Sequence, residues 1–462
     1  MSQTDFASLN LHSVLIENLV SLGYQTMTPI QAKSLPHILA GKDVIGQGKT
    51  GSGKTAAFGL GLLQKLDTKN FNAQSLVLCP TRELADQVAN ELRKLARTTP
   101  NVKVLTLCGG VAFGPQVGSL EHGAHIIVGT PGRVEEHLRK NTLKLSGLTT
   151  LVLDEADRML DMGFEESLDA IIERIPSQRQ TLLFSATYPD QIRAIANRIM
   201  NKPAMAQVDS SHTSESIQQV FYKFSSNGNG KRLTALRLVL MHYCPESAVV
   251  FCNTKVETQE VADELCHYGF SAIVLNGDME QRDRDQAMVR FANKSASILV
   301  ATDVAARGLD IEALDLVVNY HVPRDNEVHT HRIGRTGRAG SKGMACTLYS
   351  DKESHKIERL EAYMGQTCET EPLPPIELLE QPAYQSRMAT LQIDGGKKQK
   401  IRPGDILGAL TGSAGIEGEQ VGKIQISESW AYVAVKREVA QVALAKLQSG
   451  KVKGRTFRVR QI

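Results

Sequence analysis

The sequence lacks the long apolar segments and paired cysteines that would place a protein in a membrane or outside the cell. No apolar run approaches the ~20 residues of a membrane-spanning helix. The first residues, MSQTDFASLN, show no basic-then-apolar signal-peptide pattern. The seven cysteines are scattered, none forms a CxxC pair, and several lie in apolar runs such as LVLCP. We therefore expect reduced, mostly buried thiols, no structural zinc site, and a cytoplasmic protein without a membrane partner.

Size and charge indicate a folded protein of several domains with a basic C-terminal part. A chain of 462 residues suggests two to four domains. Its 42% hydrophobic and 22% charged residues argue against long disorder. From Tyr384 to Ile462 there are 14 Lys/Arg and 6 Asp/Glu, whereas the rest carries 39 against 44. A basic module on a mildly acidic body predicts a polyanionic partner for that module.

Short apolar runs alternate with helical patterns through most of the chain. Runs such as SLVLCPT, TLVLDEAD, AVVFCNT and ILVATDV each end in small or polar residues, and a helix-like stretch follows. This order predicts parallel sheets with both faces covered, and ligands at the carboxyl ends of the strands. We expect two such α/β domains, at residues 1–207 and 217–370, with a polar linker at 208–216.

The pattern changes after a Pro/Glu-rich segment at residues 371–383, which we interpret as a second linker. The strand-like runs TLQIDGG, GKIQIS, WAYVAVK and TFRVRQI are interrupted by two helical stretches. Their order is β-α-β-β-α-β. It predicts a ferredoxin-like α+β module at residues 384–462.

The clearest chemical motif is a phosphate loop. Residues 48–55, GKTGSGKT, fit GxxxxGK[ST] after an apolar strand and at the start of a helical stretch. Glycines let backbone N–H groups close around phosphate oxygens, and Lys54 would reach the β- and γ-phosphates. The Thr55 hydroxyl would bind Mg²⁺, so ATP and Mg²⁺ are the expected ligands. A chance glycine-rich turn is the alternative. The predicted nucleotide-binding residues of the loop are Gly48, Lys49, Thr50, Gly51, Ser52, Gly53, Lys54 and Thr55.

The acidic sequence DEAD at residues 154–157 is the next part of the expected site. Asp154 ends an apolar strand and suits Mg²⁺, often held through water. Glu155 can orient and deprotonate an attacking water. Taken alone, such residues are usually solvated surface. Their position at a strand end downstream of the phosphate loop favours a catalytic role.

The sequence HRIGRTGR at residues 331–338 supplies positive charge. Arg335 and Arg338 are three residues apart, so a helical turn could direct both to one side. They are candidate arginine fingers for phosphoryl transfer. The alternative is a solvated basic turn or a contact with a nucleic-acid backbone.

Together these motifs resemble, in order and wording, those of the DEAD-box RNA helicases from Phe6 to about Ser350. The resemblance implies two RecA-like domains in tandem. It implies that the segment GYQTMTPIQ binds adenine, with Gln31 reading its edge. The further nucleotide-binding residues it implies are Phe6, Tyr24, Gly308 and Asp310, and those coupling hydrolysis to strand separation are Ser185, Thr187 and His331.

The same resemblance implies RNA contacts made by glycines, hydroxyls and cations, which suit phosphate and ribose. The implied core contacts are Arg82, Gly110, Thr130, Gly132, Arg133, Gln281, Arg284, Thr302 and Arg307, with Gly109, Asn253, Thr254 and Asp303 beside them. Such residues carry no base code, so the core is expected to bind RNA of any sequence.

The C-terminal module carries an incomplete RNA-recognition signature. In ESWAYVAV, Trp430 and Tyr432 fall on its two aromatic positions, but Gln392 stands where an aromatic is usual on the partner strand. Basic residues are therefore expected to carry more of the binding. The alternative is that both aromatic rings face the core and the charges are merely solvated. The candidates are Trp430, Tyr432, Lys397, Lys398, Lys400, Arg402, Lys451, Lys453 and Arg455, followed by Arg458 and Arg460.

This tail also resembles that of bacterial members of the family that recognise hairpin 92 of 23S rRNA. The implied function is an RNA-dependent ATPase and helicase, directed to 23S rRNA in a pre-50S particle, with no obligate protein partner. The residues alone leave two alternatives open: an ATP-gated RNA clamp that unwinds little, and a DNA helicase. Strand-displacement assays would identify the first, and comparing DNA with RNA as ATPase activator the second.

Overall fold

The structure, a computed structural model, describes residues 5–48, 51–208, 217–225, 230–306, 314–337, 343–412 and 416–462. The chain divides into two compact units, and the division falls near residue 212. The predicted linker at 208–216 lies, except for Val208, outside the described residues. Among the described helices, none combines the length and apolar character needed to cross a membrane.

The first unit is built on a parallel sheet. Its strands are β1 Val44–Gln47, β2 Ser75–Leu78, β3 Val104–Leu107, β4 Ile126–Gly129, β5 Thr150–Asp154, β6 Gln180–Ser185 and β7 Ala204–Gln207. They lie in the order β3-β4-β2-β5-β6-β1-β7 with parallel pairings. The helices are α1 Ser13–Ser21, α2 Pro29–Leu39, α3 Lys54–Gln64, α4 Arg82–Leu95, α5 Phe113–Glu121, α6 Pro131–Arg139, α7 Ala156–Asp161, α8 Glu165–Ile172 and α9 Asp190–Ile199.

Both faces of this sheet are buried, which explains the continuous apolar runs. In β5, Val152 packs into the core on one face, whereas Leu151 and Leu153 pack into the core on the other. Successive side chains of a strand point to opposite faces, so a strand covered on both sides needs apolar residues at every position. The polar Asp154 follows where the strand reaches the edge of the sheet.

The second unit begins with another parallel α/β domain. Its strands are β8 Ile217–Phe224, β9 Ala248–Cys252, β10 Ala272–Leu275, β11 Ile298–Thr302, β12 Leu316–Asn319, β13 Gly343–Ser350 and β14 Thr370–Glu371, in the order β10-β11-β9-β12-β13-β8-β14. Its helices are α10 Gly230–Tyr243, α11 Lys255–His267, α12 Gln281–Ala292, α13 Asp303–Ala306, α14 Asn326–Ile333 and α15 Ser354–Met364.

The C-terminal module completes the second unit. Its elements are β15 Met388–Ile393, α16 Pro403–Thr411, β16 Val421–Ile426, β17 Ala431–Lys436, α17 Ala440–Ser449 and β18 Val459–Gln461. The strands form an antiparallel sheet in the order β16-β17-β15-β18. This confirms the predicted fold class: two parallel α/β domains followed by a ferredoxin-like α+β module.

The segment predicted as a second linker, residues 371–383, is packed against the α/β domain that precedes it. A short 3-10 helix at Ile376–Glu380 contacts α10. The residues that pack against the core of that domain are Leu373, Leu378, Leu379, Ala383 and Tyr384. The segment therefore differs from a free tether, because burial of these apolar side chains holds it in place.

The sheet of the module is covered on both faces. One face packs against α16 and α17 through residues such as Leu391 and Val433. The other meets α12 and the turn after it. There the Thr390 and Ser295 hydroxyls share a hydrogen bond of 2.7 Å, and Gln286 Nε2 donates to Gln392 Oε1 at 3.2 Å. The module is thus docked on the second α/β domain through its sheet.

Candidate nucleotide site and RNA-binding surfaces

The phosphate loop joins β1 to α3 and takes a conformation that requires glycine. Gly51 and Gly53 have φ angles of 82° and 93°, in the left-handed region. A Cβ atom on Gly53 would lie 2.5 Å from Gln31 Nε2 and 2.9 Å from Thr28 Oγ1. The loop is therefore shaped by contact with α2. Two predicted residues of the loop, Lys49 and Thr50, lie outside the described residues.

Gln31, the residue predicted to read the adenine edge, contacts the phosphate loop. Its Oε1 accepts from Thr28 N at 2.9 Å, and its Nε2 donates to Gly53 O at 3.1 Å. Thr28 caps α2, which draws the Gln31 side chain back across the helix N-terminus. In this structure Gln31 braces the phosphate loop. Its contact with an adenine edge stays a prediction.

The loop presents a cation and an unsatisfied hydroxyl to a phosphate. Lys54 is 6% exposed, and its Nζ donates to Gly48 O at 2.8 Å. Ser52 Oγ is buried and has no hydrogen-bond partner among the described residues. Because α3 begins at Lys54, its first N–H groups and its dipole favour an anion at the same point. These features fit a nucleotide triphosphate, with Thr55 at the second position of the helix.

Asp154 and Glu155 lie together at the end of β5. Burial raises the pKa of Asp154 to about 6, although the charge of Lys54 opposes this. A buried carboxylate of this kind fits a Mg²⁺ ion, which would stabilise its charged form. Glu155 has a φ of 52°, and Arg158 Nη1 lies 2.6 Å from its Oε2. Arg158, which was not among the predicted site residues, therefore orients the Glu155 carboxylate.

The fourth residue of the DEAD sequence, Asp157, connects to the predicted coupling residues. Its Oδ2 accepts from the backbone N and the Oγ1 of Thr187, both at 3.0 Å. Its own N–H points to Ser185 Oγ at 3.4 Å. Burial alone would raise the pKa of Asp157, but the Thr187 bond and the Arg158 charge lower it. Ser185 O also accepts from Gly48 N at 3.0 Å, so this segment contacts both nucleotide motifs.

Phe6 and Tyr24, two predicted nucleotide-binding residues, lie next to each other. The Phe6 ring is 3% exposed and lies 6.3 Å from the Tyr24 ring in an edge-to-face arrangement. The Tyr24 hydroxyl donates to Glu91 Oε1 on α4 at 2.6 Å. Burial raises the pKa of Tyr24, and Glu91 adds to the shift. Their contact with adenine stays a prediction.

In the second unit, Arg332 of the basic motif pairs with buried and half-buried side chains from two other segments. Its Nε and Nη2 donate to the Asp303 carboxylate at 2.6 and 2.8 Å, and its Nη1 donates to Asn319 Oδ1 at 3.1 Å. It is 2% exposed, a burial that such pairing makes tolerable. Sequence reasoning missed it, since the motif letters do not tell it apart from Arg335. Arg335 is buried on the turn after α14. His331 lies within α14 and is half-buried. The predicted residues Arg307, Gly308, Asp310 and Arg338 lie outside the described residues.

The predicted core RNA contacts cluster at the starts of helices. Arg82 begins α4, Gln281 begins α12, and Thr302 Oγ1 accepts from Ala305 N at 3.4 Å at the start of α13. On α12, Arg284 Nη1 donates to Asn276 O at 3.1 Å. Helix N-termini suit phosphate groups. The arrangement is therefore compatible with the predicted backbone contacts, which stay predictions.

The aromatic pair of the module is not an open stacking platform. Tyr432 is 3% exposed, opposite Gln392 on the face of the sheet that meets α12. Burial raises the pKa of Tyr432, and Asp285 on α12 adds to the effect. Trp430 is half-buried with the Arg282 guanidinium 5.0 Å from its ring. Tyr432 thus corrects our expectation: docking of the module covers the ring that was to stack on a base.

Seven of the predicted basic residues of the module, by contrast, are exposed and lie on two neighbouring segments. They come from the segment after β15 and from the turn before β18, and Lys453 Nζ donates to Lys400 O across the two. We call this surface the basic end of the module. It comprises Lys397, Lys398, Lys400, Arg402, Lys451, Lys453 and Arg455.

Three family models match successive parts of the chain. The DEAD/DEAH box helicase model matches residues 28–195, the helicase conserved C-terminal domain model 230–340, and the DbpA RNA binding domain model 390–461. The chain belongs to the DEAD-box family and is an ATP-dependent RNA helicase, which confirms the resemblance seen in its motifs. Among curated proteins, it is similar to the ATP-dependent RNA helicase DbpA of Escherichia coli (strain K12), 54% identical over 99% of both chains.

Other relatives share the helicase core. A DEAD-box ATP-dependent RNA helicase CshA of Bacillus cereus is 45% identical over 78% of this chain and 68% of that protein. Among solved structures, Saccharomyces cerevisiae Dbp5 bound to RNA and ADP BeF3 matches with a TM-score of 0.72 and 27% identity. It covers 82% of this chain and 100% of that one. The tail of this chain matches the DbpA RNA binding domain model.

Proposed function

We propose that this helicase acts in the cytoplasm on 23S ribosomal RNA during assembly of the large ribosomal subunit. Its basic end would hold the region of hairpin 92, while the two α/β domains hydrolyse ATP and separate short neighbouring duplexes. The observation that carries the proposal is the exposed basic end, on a module that matches the DbpA RNA binding domain over residues 390–461.

The nucleotide chemistry follows from the first unit. Lys54 and the N-terminus of α3 bind the phosphates, and Phe6 and Tyr24 support the adenine. Asp154 and Thr55 would hold Mg²⁺, which would supply positive charge to neutralise the phosphates. Glu155, oriented by Arg158, accepts the proton of the attacking water. Arg335 and Arg338 add positive charge in the transition state.

RNA targeting by the basic end rests on charge and shape. Its Lys and Arg side chains suit phosphate oxygens, and a folded hairpin presents phosphates in a fixed arrangement. The core contacts carry no base code, so preference for one RNA has to come from the module. Because α12 covers Tyr432, we propose that the basic end binds the RNA and that the sheet of the module does not.

The test compares two RNAs as activators of ATP hydrolysis: a 23S fragment containing hairpin 92, and an unstructured RNA of equal length. We expect half-maximal activation at a lower concentration of the fragment. The double variant Lys451→Ala/Arg455→Ala should lose most of this preference. It should also flatten the salt dependence of binding by roughly one unit of slope per lost phosphate contact.

The matched control removes two charges elsewhere in the module. Lys423 on β16 and Lys436 at the end of β17 are both exposed, away from the basic end in sequence. Lys423→Ala/Lys436→Ala should keep the preference of the parent. Equal activation by both RNAs in the parent, or an equal loss in the control, would contradict the proposal.

A further inference from the structure

Two predicted RNA-binding loops of the first unit lie side by side. One is the glycine turn at Gly109 and Gly110, after β3, and the other is the N-terminus of α6 at Thr130 to Gly132. Gly109 N points to Thr130 Oγ1 at 3.4 Å. A Cβ atom placed on Gly109 or on Gly132 would meet nothing within 4 Å. The outer side of both loops is therefore open, and the contacts that hold them side by side lie on their inner side.

Gln116, on α5, connects the two loops from below. It is 8% exposed, and its Nε2 donates to Cys108 O, just before the glycine turn, at 3.0 Å. Its Oε1 accepts from Arg133 Nη1 at 3.0 Å and from His137 Nε2 at 2.9 Å, both on α6. One buried amide thus joins the start of the turn to the helix that begins at the second loop.

Arg133 holds the other end of the turn. Its Nη1 also donates to Val111 O at 3.0 Å, and its Nε lies 3.1 Å from Glu136 Oε2. The glycine turn is therefore held on both sides, at Cys108 by Gln116 and at Val111 by Arg133. Gly110 has a φ of 74°, in the left-handed region that favours glycine. The two anchors hold the turn in this conformation.

The Gln116 amide determines which nitrogen of His137 carries the proton. Cys108 O can only accept, so the Gln116 amide nitrogen faces it and the Gln116 oxygen faces His137. His137 Nε2 therefore carries a proton, and Nδ1 lies 2.8 Å from the Thr142 hydroxyl. The imidazole is fully buried and stacks on Phe113 with 4.2 Å between ring centres. Burial, with the charge of Arg133, lowers the pKa of His137 to about 4, which keeps this neutral form.

We propose that Gln116 and His137 are positioning residues for RNA binding, which hold the glycine turn and the N-terminus of α6 at the spacing that one RNA strand requires. They touch no RNA themselves. The inference rests on the proposed RNA contacts of these two loops. Pre-organised N–H groups lose little freedom on binding, so a loosened pair should bind RNA more weakly although every contacting residue is still present.

The test measures RNA-stimulated ATP hydrolysis in the full chain. Gln116→Leu and His137→Leu should each raise the RNA concentration for half-maximal activation about tenfold, the cost of a lost buried hydrogen-bond pair. The maximal rate should change less, and ATP affinity should stay that of the parent. His122→Leu, an exposed histidine at the end of α5, is the matched control and should match the parent.

Conservative variants separate positioning from mere stability. His137→Gln offers an amide donor near the place of Nε2 and should restore most of the RNA affinity lost in His137→Leu. Gln116→Glu still accepts from Arg133 and His137 but faces Cys108 O with an oxygen. It should weaken RNA activation while melting near the parent temperature. If the leucine variants fail to fold, Gln116→Glu decides, and activation like the parent's overturns the proposal.

A further variant tests the premise separately. Gly132→Asp adds a carboxylate in open space at the loop, where it should repel RNA phosphates without disturbing packing. If it leaves RNA activation unchanged, the loops do not bind RNA, and the inference fails together with that assignment. If it weakens activation while folded Gln116→Leu and His137→Leu behave like the parent, the RNA contacts stand and the positioning role alone is overturned.

Discussion

His329 is held on α14 as a neutral ring. It is 1% exposed, its Nε2 donates to Gln219 Oε1 at 2.9 Å, and its Nδ1 lies 3.4 Å from Asn319 Nδ2. Burial and the charge of Arg332 lower its pKa to about 4. In the unfolded chain a histidine titrates near 6.5, so the two states bind protons differently over a window of acid pH.

The sign of the effect on stability follows. Between about pH 6.5 and 4 the unfolded state binds a proton that the folded state does not. The free energy of unfolding should therefore fall as the pH drops, by on the order of 1–2 kcal/mol between pH 7 and 5 for this group. Urea unfolding of the parent and of His329→Gln at both pH values isolates this term.

Other histidines contribute to the parent curve, so only the difference between the proteins is informative. The pKa of His137 is lowered too, whereas that of His321 is raised: burial opposes the rise, but Glu257 and Glu353 outweigh it. We expect His329→Gln to lose less stability on acidification than the parent. An equal loss in both proteins would show that His329 is not held neutral.

The sequence predicted roles for some residues of a motif and not for others. The reason is that the order of residues does not show which polar side chains pair in the folded protein. Asp154 and Glu155 could be selected from their place after an apolar run. Arg332 could not, since its pairing with Asp303 joins segments 29 residues apart. Arg158 differs, because its partner Glu155 is only three residues away, and this i, i+3 spacing was the signal that could have found it. Local spacing predicts which segment holds the chemistry, whereas tertiary contacts decide which side chain in it performs a given task.

At the scale of elements, the phosphate loop and α2 are built as one piece. Thr28 Oγ1 donates to Ser52 O at 2.7 Å, and Gln31 Nε2 donates to Gly53 O at 3.1 Å. The motif GxxxxGKT predicted the loop and the helix after it, because both are encoded within a few residues. The contacts of Thr28 and Gln31 with the loop were not predicted, since they depend on how α2 lies against the loop.

Gly53→Ala should therefore damage ATP binding more than stability. The new Cβ would meet Gln31 and Thr28 and would force the loop to shift, so we expect ATP affinity to fall at least roughly tenfold. The left-handed backbone adds a stability cost of about 1–2 kcal/mol. Equilibrium nucleotide binding and thermal melting measure the two effects.

Gly163→Ala is the matched control for this change. Gly163 has a φ of 75° but open space around a new Cβ. It should lose similar stability and keep the ATP affinity of the parent. If both variants bind ATP alike, the contact between α2 and the loop does not matter for the nucleotide.

At the scale of the whole molecule, α12 has two sides with different tasks. Gln281 and Arg284 are its predicted RNA contacts, whereas Arg282 and Gln286 meet Trp430 and Gln392 of the module. The β-α-β-β-α-β order predicted the module itself. Its docking could not be predicted, because Thr390 and Gln392 look in the sequence like ordinary polar positions of an exposed strand face.

Thr390→Arg should release the module from α12. Thr390 is fully buried between Ser295 and Asn293, and an unpaired buried charge costs several kcal/mol, more than a polar contact of this size can offset. We expect backbone hydrogen exchange at 281–292 and 388–393 to accelerate roughly tenfold or more. The interior of the module, packed on α16 and α17, should stay protected.

Gln425→Arg serves as the control, since Gln425 is exposed on the edge strand β16 of the same sheet. It should exchange like the parent. Unchanged protection of α12 in Thr390→Arg would show that the docked arrangement does not persist in solution.

Segment 371–383 is packed on the second α/β domain, and the sheet of the module is docked on α12. Both contacts restrict movement of the module relative to that domain. A hairpin bound at the basic end would then lie at a fixed distance from α12. If the module holds a hairpin as proposed, a duplex would be selected by its distance in nucleotides from that hairpin, whatever its sequence. Lengthening the RNA between hairpin and duplex should therefore lower unwinding steeply, where a loosely tethered module would tolerate it.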